Sequence, residues 1–232
     1  MLRTRWLVLV FLVVFVVTLI AGIPASLVAS RIPSLPVAGA PLFVGAASGT
    51  VWDGSVPLRW RQLNVELDWD LGFRGLTPGL TWSLGGSLKA SGWLGGWTET
   101  RVEISDGLVP AALIEHVSPF RAEGTLTIDG LRLAVRDQRL VEAAGELRYS
   151  GGRAGWKSGE TQVPALLARI EEQPEGGVAR VTDPSDTLLM EAGVQGERGF
   201  VRVYRAWPAL LGVSQGGEPT DVVFESSQPI WE

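Results

Sequence analysis

Residues 62–71 read Gln-Leu-Asn-Val-Glu-Leu-Asp-Trp-Asp-Leu, and this stretch decides the fold class. Its apolar residues occupy every second position, and the positions between them are polar or acidic. Side chains alternate between the two faces of a β-strand, so this spacing places every apolar group on one face. A helix would spread the same residues around its circumference. We therefore predict an amphipathic strand over residues 62–71.

The same alternation recurs along the rest of the chain. Its apolar positions are Leu80, Trp82, Leu84, Leu88 and Ala90; Val102 and Ile104; Leu126 and Ile128; Leu131, Leu133 and Val135; Leu147 and Tyr149; Val201 and Val203. Asp129-Gly130 separates two of these runs and predicts a type I′ hairpin, and Asp53-Gly54 and Asp106-Gly107 are further turn candidates. Only Pro110–Val117 and Pro164–Glu172 predict short helices. We therefore predict an all-β fold, with a mainly antiparallel, twisted sheet as a curled meander or sandwich and one or two short connector helices.

The apolar face of such a sheet has to be covered. The sheet can fold over on itself, or a partner protein or a lipid can cover the face. The sequence leaves these alternatives open.

The N-terminal segment predicts the location of the protein. Residues Trp6 to Ser30 contain no charged residue, and Arg3, Arg5 and Arg31 flank them. As a helix, the part from Trp6 to Ile23 spans roughly 27 Å, which is close to the hydrocarbon thickness of a bilayer. We predict a transmembrane helix over residues 6–30 with residues 1–5 in the cytoplasm, because the preceding arginines favour the cytoplasmic side.

The alternative interpretation is a cleaved signal peptide, with Val28-Ala29-Ser30 as the cleavage site. We favour the uncleaved anchor because the apolar core of a signal peptide is usually only about 7–15 residues long. A lipoprotein is excluded, since the chain has no cysteine to lipidate.

Residues 31–42 predict a proline-rich tether between the membrane and a periplasmic domain over residues 43–232. This segment contains Pro33, Pro36 and Pro41, which favour a stiff, extended chain. Ten extended residues reach at most about 35 Å.

Composition excludes several classes of function. The net charge of −5 makes nucleic acid an unfavourable partner. The chain has no cysteine and one histidine, His116, which excludes Cys-His nucleophiles and Cys/His zinc sites. It also has no Gly-x-Ser-x-Gly elbow and no P-loop. We predict no catalytic residue, cofactor, metal or small-molecule substrate, and interpret Asp68 and Asp70 as a solvated strand face. A carboxylate-dependent envelope hydrolase remains a minor alternative.

The tryptophans suggest a contact surface. Trp69 and Trp82 follow the apolar alternation of their strands and are predicted in the core. Trp93 and Trp97 lie among glycines and do not follow it. We predict that these two tryptophans lie on an exposed hairpin and form a contact surface.

One short motif resembles a known family. Residues 49–55 read Gly-Thr-Val-Trp-Asp-Gly-Ser, and Gly49, Thr50, Trp52, Gly54 and Ser55 match a Gly-Thr-x-Trp-x-Gly-Ser signature. This signature is similar to that of protein N of the bacterial type II secretion system, in which it also follows a single membrane helix and a tether. The segment Gly145-Glu146-Leu147-Arg148-Tyr149 resembles a later Gly-x-Leu-x-aromatic motif, with Tyr149 where tryptophan is more usual. Glycines and β-formers make the signature suitable for a turn between strands.

The resemblance implies a location and a class of partner, without catalytic residues. The expected protein is a single-pass inner-membrane component or accessory of type II secretion, with its N-terminus in the cytoplasm and its domain in the periplasm. Its expected partners are other secretion-system subunits, in the inner-membrane platform or the outer-membrane channel. The alternative hypothesis is a membrane-anchored periplasmic module that binds or transfers lipid through the apolar face of its sheet.

Overall fold

A computed structural model describes residues 11–12, 14–15, 18–31, 34–37, 40–116, 121–156, 159–213 and 216–230. The chain divides into two compact units. The first unit consists of Met1–Phe73 and Leu80–Ser87, and the second of Arg74–Gly79 and Leu88–Glu232. The described part is mostly antiparallel β-sheet with few short helices, which confirms the predicted all-β class.

The N-terminal segment is helical wherever it is described between residues 11 and 21. A short helix, α1 (Ala25–Ala29), follows Pro24. Among the described residues, no helix is long and apolar enough to cross a membrane. Residues 1–5, and residues 6–10, 13, 16 and 17 of the predicted membrane helix, lie outside the described part.

The first unit is a small antiparallel sheet. Its strands are β1 (Ser34–Val37), β2 (Ala40–Val44), β3 (Ser48–Gly49), β4 (Asp53–Trp60), β5 (Leu63–Arg74) and, from Leu80 onward, β6 (Thr77–Gly86). The order is β1-β2-β4-β5-β6, with β3 paired to β4. β1 pairs with β2 from Ser34↔Phe43 to Val37↔Ala40. Part of the segment predicted as an extended tether is therefore paired in antiparallel β-structure.

β5 contains the stretch that predicted the fold. Leu63, Val65, Leu67 and Trp69 are partly buried, and the polar residues between them are exposed. The predicted strand over residues 62–71 is confirmed, and it continues to Arg74.

The second unit contains a longer antiparallel sheet. Its strands are β7 (Lys89–Gly95), β8 (Thr100–Pro110), β10 (Thr125–Arg136), β11 (Arg139–Tyr149), β14 (Leu166–Gln173), β15 (Gly176–Thr182), β16 (Leu188–Gln195), β17 (Arg198–Tyr204) and β18 (Val222–Pro229), in this spatial order. A three-stranded sheet, in the order β13-β12-β9, is formed by β9 (Arg121–Ala122), β12 (Gly152–Trp156) and β13 (Gly159–Val163). A 3₁₀-helix (Ala111–His116) and α2 (Ala206–Leu210) complete the unit.

Several local predictions are wrong. Asp106-Gly107 does not form a turn, because both residues lie inside β8 and pair with residues of β7 and β10. Asp129-Gly130 does not form a hairpin turn but lies inside β10, where the pairing with β11 shifts between Asp129 and Arg132. Gly130 has φ 57° at this bulge. The extra residue keeps Ile128 and Leu131 on the same face although their spacing is odd, so a bulge produces the same sequence pattern as a hairpin.

Pro164–Glu172 was predicted as a helix, but Leu166–Gln173 form strand β14. Its residues have good helix propensity, yet β11 and β15 pair with it on both sides. Tertiary pairing overrides the local preference. The other helix prediction, Pro110–Val117, is confirmed as the 3₁₀-helix at Ala111–His116.

Opposite faces of the second unit's sheet carry different chemistry. One face has a row of directly paired apolar residues, which we name the apolar row: Ile128, Leu147, Ala168, Val181, Met190, Val203 and Phe224. The adjacent residues on the other face form the ionic row: Glu146, Arg169, Arg180, Glu191, Arg202 and Glu225. Residues of the apolar row are at most partly buried, and Leu189 is the largest fully buried side chain among the described residues.

Candidate functional site: a signature loop and a tryptophan cleft

The signature forms a closed loop between β3 and β4 in the first unit. Ser48 pairs with Ser55 and Gly49 with Gly54, and the turn lies at Thr50–Trp52. The backbone N–H groups of Trp52 and Asp53 both donate to Thr50 Oγ1, at 3.2 Å each. Asp53-Gly54 therefore begins strand β4 and does not form the turn that the sequence predicted.

Gly49 and Gly54 lie so close to the facing backbone that neither position has room for a side chain. Gly49 has φ 81°, a conformation that strains residues with a Cβ atom. A Cβ atom at Gly54 would lie 2.7 Å from Cζ2 of Trp69 and closer still to the carbonyl oxygen of Ser48. The Trp69 indole N–H donates to the carbonyl oxygen of Val51 at 3.3 Å. Trp69 thus packs directly over the signature loop.

The loop also holds the end of the N-terminal apolar segment. The Trp52 indole N–H donates to the carbonyl oxygen of Ile20 at 2.9 Å, and the Val51 N–H donates to that of Ile23 at 3.0 Å. Pro24 forms a β-bridge with Thr50, and Ala25 is buried. The signature therefore connects the apolar segment to the sheet.

The two tryptophans predicted as a contact surface lie in the second unit and have different environments. Trp93, on β7, is only 5% exposed, because Gly79 and Gly95 leave room for its ring. The Arg74 guanidinium lies over this ring, 5.0 Å from its centroid. Trp97 follows β7, is 73% exposed and donates its indole N–H to the carbonyl oxygen of Leu76 at 2.9 Å. The predicted exposure of Trp93 is wrong, whereas Trp97 is exposed.

Both tryptophans line a cleft of about 320 Å³, which we name the tryptophan cleft. Ion pairs surround it. Arg74 Nη1 lies 2.5 Å from Glu103 Oε2, and Glu99 accepts hydrogen bonds from Arg136 and Arg101. These hydrogen bonds, first from Arg136 and then from Arg101, lower the pKa of Glu99.

The cleft suits binding better than acid–base catalysis. A general acid at neutral pH needs a raised pKa, whereas the pKa of Glu99 is lowered. Glu103 is paired with Arg74, and Glu142 lies 3.7 Å from Arg132. Within the described residues, no group of three or more His, Cys, Asp and Glu side chains could hold a metal ion. Aromatic residues are enriched at protein–protein interfaces.

Sequence reasoning missed the charged residues of the cleft. Glu99 and Arg136 are 37 positions apart and meet only because β8 pairs with β10. No local motif carries that information. The burial of Trp93 could not be predicted either, because it depends on which residue of β6 lies beside the ring.

The later Gly-x-Leu-x-aromatic segment has a structural role in β11. Gly145 has φ 144°, and a Cβ atom there would lie 2.6 Å from the Cα atom of Leu131, beside the bulge of β10. The Tyr149 hydroxyl donates to the carbonyl oxygen of Glu123 at 2.6 Å. The segment thus accommodates the bulge and fixes the chain before β10.

Comparison with known proteins identifies the family. Residues 40–204 match the family model described as "Type II secretion system (T2SS), protein N". No curated protein and no solved structure matches the chain. The match covers more than half of the chain and includes the signature loop, the tryptophan cleft and the β10 bulge. The chain therefore belongs to the family of type II secretion system protein N.

Proposed function

We propose that the protein is a non-catalytic inner-membrane component or accessory of the type II secretion system and acts by binding other subunits in the periplasm. The observation that carries this proposal is the family match over residues 40–204, which suggests a role in type II secretion. Paired carboxylates in the tryptophan cleft support binding without catalysis.

In this proposal residues 6–30 anchor the protein in the inner membrane, with residues 1–5 in the cytoplasm and the sheet in the periplasm. The uncharged stretch from Trp6 to Ser30 supports the anchor. The described apolar residues between 11 and 20 also support it, because their large side chains are exposed. A helix that is apolar on all sides is stable in lipid or in a protein core.

The tryptophan cleft is the proposed contact surface. Trp97 and Leu76 are both strongly exposed, and the Trp97 indole N–H donates to the backbone carbonyl oxygen of Leu76. Exposed aromatic residues surrounded by polar groups are typical centres of binding energy at interfaces. The proposed partners are the inner-membrane platform or the outer-membrane channel.

Photo-crosslinking in cells tests this surface. A photoreactive phenylalanine derivative replaces Trp97 in the full chain, and the matched control replaces Val213, which is similarly exposed in the same unit. Crosslinks from position 97, but not from position 213, to subunits of the secretion system are the expected result. Equal labelling at both positions, or none to any subunit, would contradict the proposed contact surface.

Trp97→Ala tests the contribution of this side chain. We expect a loss of at least about 2 kcal/mol in partner binding, or roughly 30-fold in affinity, if Trp97 is a central contact. Stability should change by less than about 1 kcal/mol, since the side chain is 73% exposed. Titration of the crosslinked subunit against each variant measures affinity, thermal unfolding measures stability, and secretion of a reporter enzyme shows the consequence in cells. Normal secretion in a deletion strain would remove any essential role in secretion.

The apolar row supports a second candidate function, a lipid-binding or lipid-transfer module. Its residues are paired across seven strands, and none is fully buried. Acyl chains could cover such a face. Native mass spectrometry of the purified full-length protein should then show bound lipid that survives removal of detergent. An apo mass would exclude stable lipid binding by this face.

A further inference from the structure

The apolar face of β5 ends in exposed side chains. Trp69, Leu71 and Phe73 occupy alternate positions, so they share one face. Trp69 packs over the signature loop, but Leu71 is 44% exposed and Phe73 is 73% exposed. Polar residues at these positions would be expected if the strand end faced only water.

Trp52 extends this apolar surface toward the N-terminal segment. Its side chain is 41% exposed, and the Leu71 N–H donates to its carbonyl oxygen at 2.5 Å. Its indole N–H donates to the carbonyl oxygen of Ile20. Trp52, Leu71 and Phe73 therefore form one surface beside the end of the apolar helix, which we name the strand-end patch.

The helix indicates what covers the patch. Phe15, Leu19 and Ile20 expose about half of their surfaces, and no described residue covers them. The medium that surrounds these exposed side chains must extend along the helix to Ile20. The hydrogen bond from Trp52 to Ile20 places the patch beside that end of the helix. An apolar medium that covers the helix is thus continuous with the patch. Trp is also enriched at membrane interfaces, because its ring is apolar and its N–H is polar.

We propose that the strand-end patch is a membrane-docking surface whose partner is the lipid bilayer itself. Trp52 lies at the headgroup level, and Leu71 and Phe73 enter the interfacial zone beside the outer end of the helix. This inference rests on the membrane anchor of the proposed function. It adds a second attachment, through the sheet, which fixes the orientation of the first unit at the membrane surface.

Site-directed fluorescence in vesicles tests the docking. The chain contains no cysteine, so each single-cysteine variant of the full-length protein carries one label. Phe73→Cys probes the patch and Val14→Cys probes the helix. Glu66→Cys is the matched control, because Glu66 is exposed on the same strand, about 23 Å from Phe73 at about 3.3 Å per residue. The labelled proteins are reconstituted in vesicles of phosphatidylethanolamine and phosphatidylglycerol, with nitroxide-labelled lipid or aqueous iodide as quencher.

The expected result is several-fold stronger lipid quenching at position 73 than at position 66, with the opposite order for iodide. Quenching by iodide alone at position 73, with normal lipid quenching at position 14, overturns the docking and leaves the anchor intact. Protection of position 73 from both quenchers indicates a second copy of the chain and also overturns it. Absence of lipid quenching at position 14 overturns the anchor and the docking together.

The link between Trp52 and Ile20 has its own test in the Phe73→Cys background. Trp52→Phe keeps an aromatic ring but removes the indole N–H that donates to the carbonyl oxygen of Ile20. We expect lipid quenching at position 73 to fall toward that at position 66, while quenching at position 14 stays unchanged. Unchanged quenching at position 73 overturns the role of Trp52 in positioning the patch. Circular dichroism checks that the sheet is intact.

Discussion

Trp93 and Trp97 occupy neighbouring places in the sequence and opposite environments in the structure. Gly79 and Gly95 admit the Trp93 ring into the interior, because any side chain at either position would collide with it. Trp97 lines the same tryptophan cleft but remains exposed. The alternation of Trp69 could be interpreted from the sequence, since its whole strand carries the pattern. The environment of Trp93 depends on Gly79 of β6 as well as on Gly95 of its own strand, and no local pattern reveals the contact with β6.

Gly54→Ala is the sharpest test at the scale of a residue. The new methyl group would collide with the Ser48 carbonyl oxygen and the Trp69 ring, so the signature loop must shift. We expect a loss of about 1–3 kcal/mol in the free energy of unfolding. Chemical denaturation of the full-length protein in detergent measures it.

Gly85→Ala is the matched control in the same unit. A Cβ atom there meets no other atom within 4 Å. Its stability should be unchanged or higher by up to about 1 kcal/mol, because alanine restricts the unfolded chain. An equal loss in both variants would show that the signature loop has no special packing requirement at Gly54.

At the scale of the element, the sequence predicts where an amphipathic strand lies, but it does not predict bulges or strands whose residues favour a helix. The alternation in residues 62–71 predicted β5, because one face of that strand is apolar along its length. The bulge at Asp129-Gly130 was mistaken for a turn, since both shift the alternation by one residue. β14 was mistaken for a helix because its pairing partners, rather than its residues, determine its conformation.

The pairing of β8 with β10 brings Arg101 and Arg136 to Glu99, and these contacts make the free energy of unfolding depend on pH. Its pKa is lowered by Arg136 and Arg101, so the folded state favours the ionised carboxylate. This stabilisation is complete above the usual glutamate pKa of about 4.3, and it is lost as pH falls through the lower pKa of the folded state. Glu99→Gln should therefore be less stable than the parent at neutral pH and equally stable in strong acid.

Urea denaturation of both proteins across this pH range measures the difference. Glu160→Gln is a suitable control, because Glu160 lies 3.6 Å from Arg153 and both side chains are about 60% exposed. Its effect should be small at every pH. A Glu99→Gln difference that persists in acid would indicate lost packing instead of a lost charge interaction.

At the scale of the whole molecule, the ionic row runs across six neighbouring strands of the second unit. Glu191 lies between Arg180, at 3.1 Å, and Arg202, at 4.0 Å, and it accepts a hydrogen bond from the Tyr204 hydroxyl at 2.8 Å. Glu191→Gln leaves two facing arginines without their shared carboxylate. We expect a loss of about 1.5–3 kcal/mol in the free energy of unfolding, the usual range for hydrogen bonds to charged groups. Raising the salt concentration should reduce this loss.

Glu225→Gln is the control at the outer end of the row. The Glu225 side chain is about half exposed and pairs with Arg202, so the variant should lose less than about 1 kcal/mol of stability. Thermal unfolding at low and high salt measures both variants. Equal losses would mean that the central carboxylate contributes no more than a terminal one.

The strand order of the second unit affects how the chain can acquire its structure. From β15 to β18 each strand pairs with the strand that precedes it, and the connections Pro174-Glu175 and Gly196-Glu197 are only two residues long. Closing such hairpins requires little loop entropy, and low contact order favours fast folding. A chain delivered from its N-terminus through a narrow channel could therefore add one finished strand at a time to a growing edge. The sheet can therefore begin to form before the C-terminal residues have been delivered.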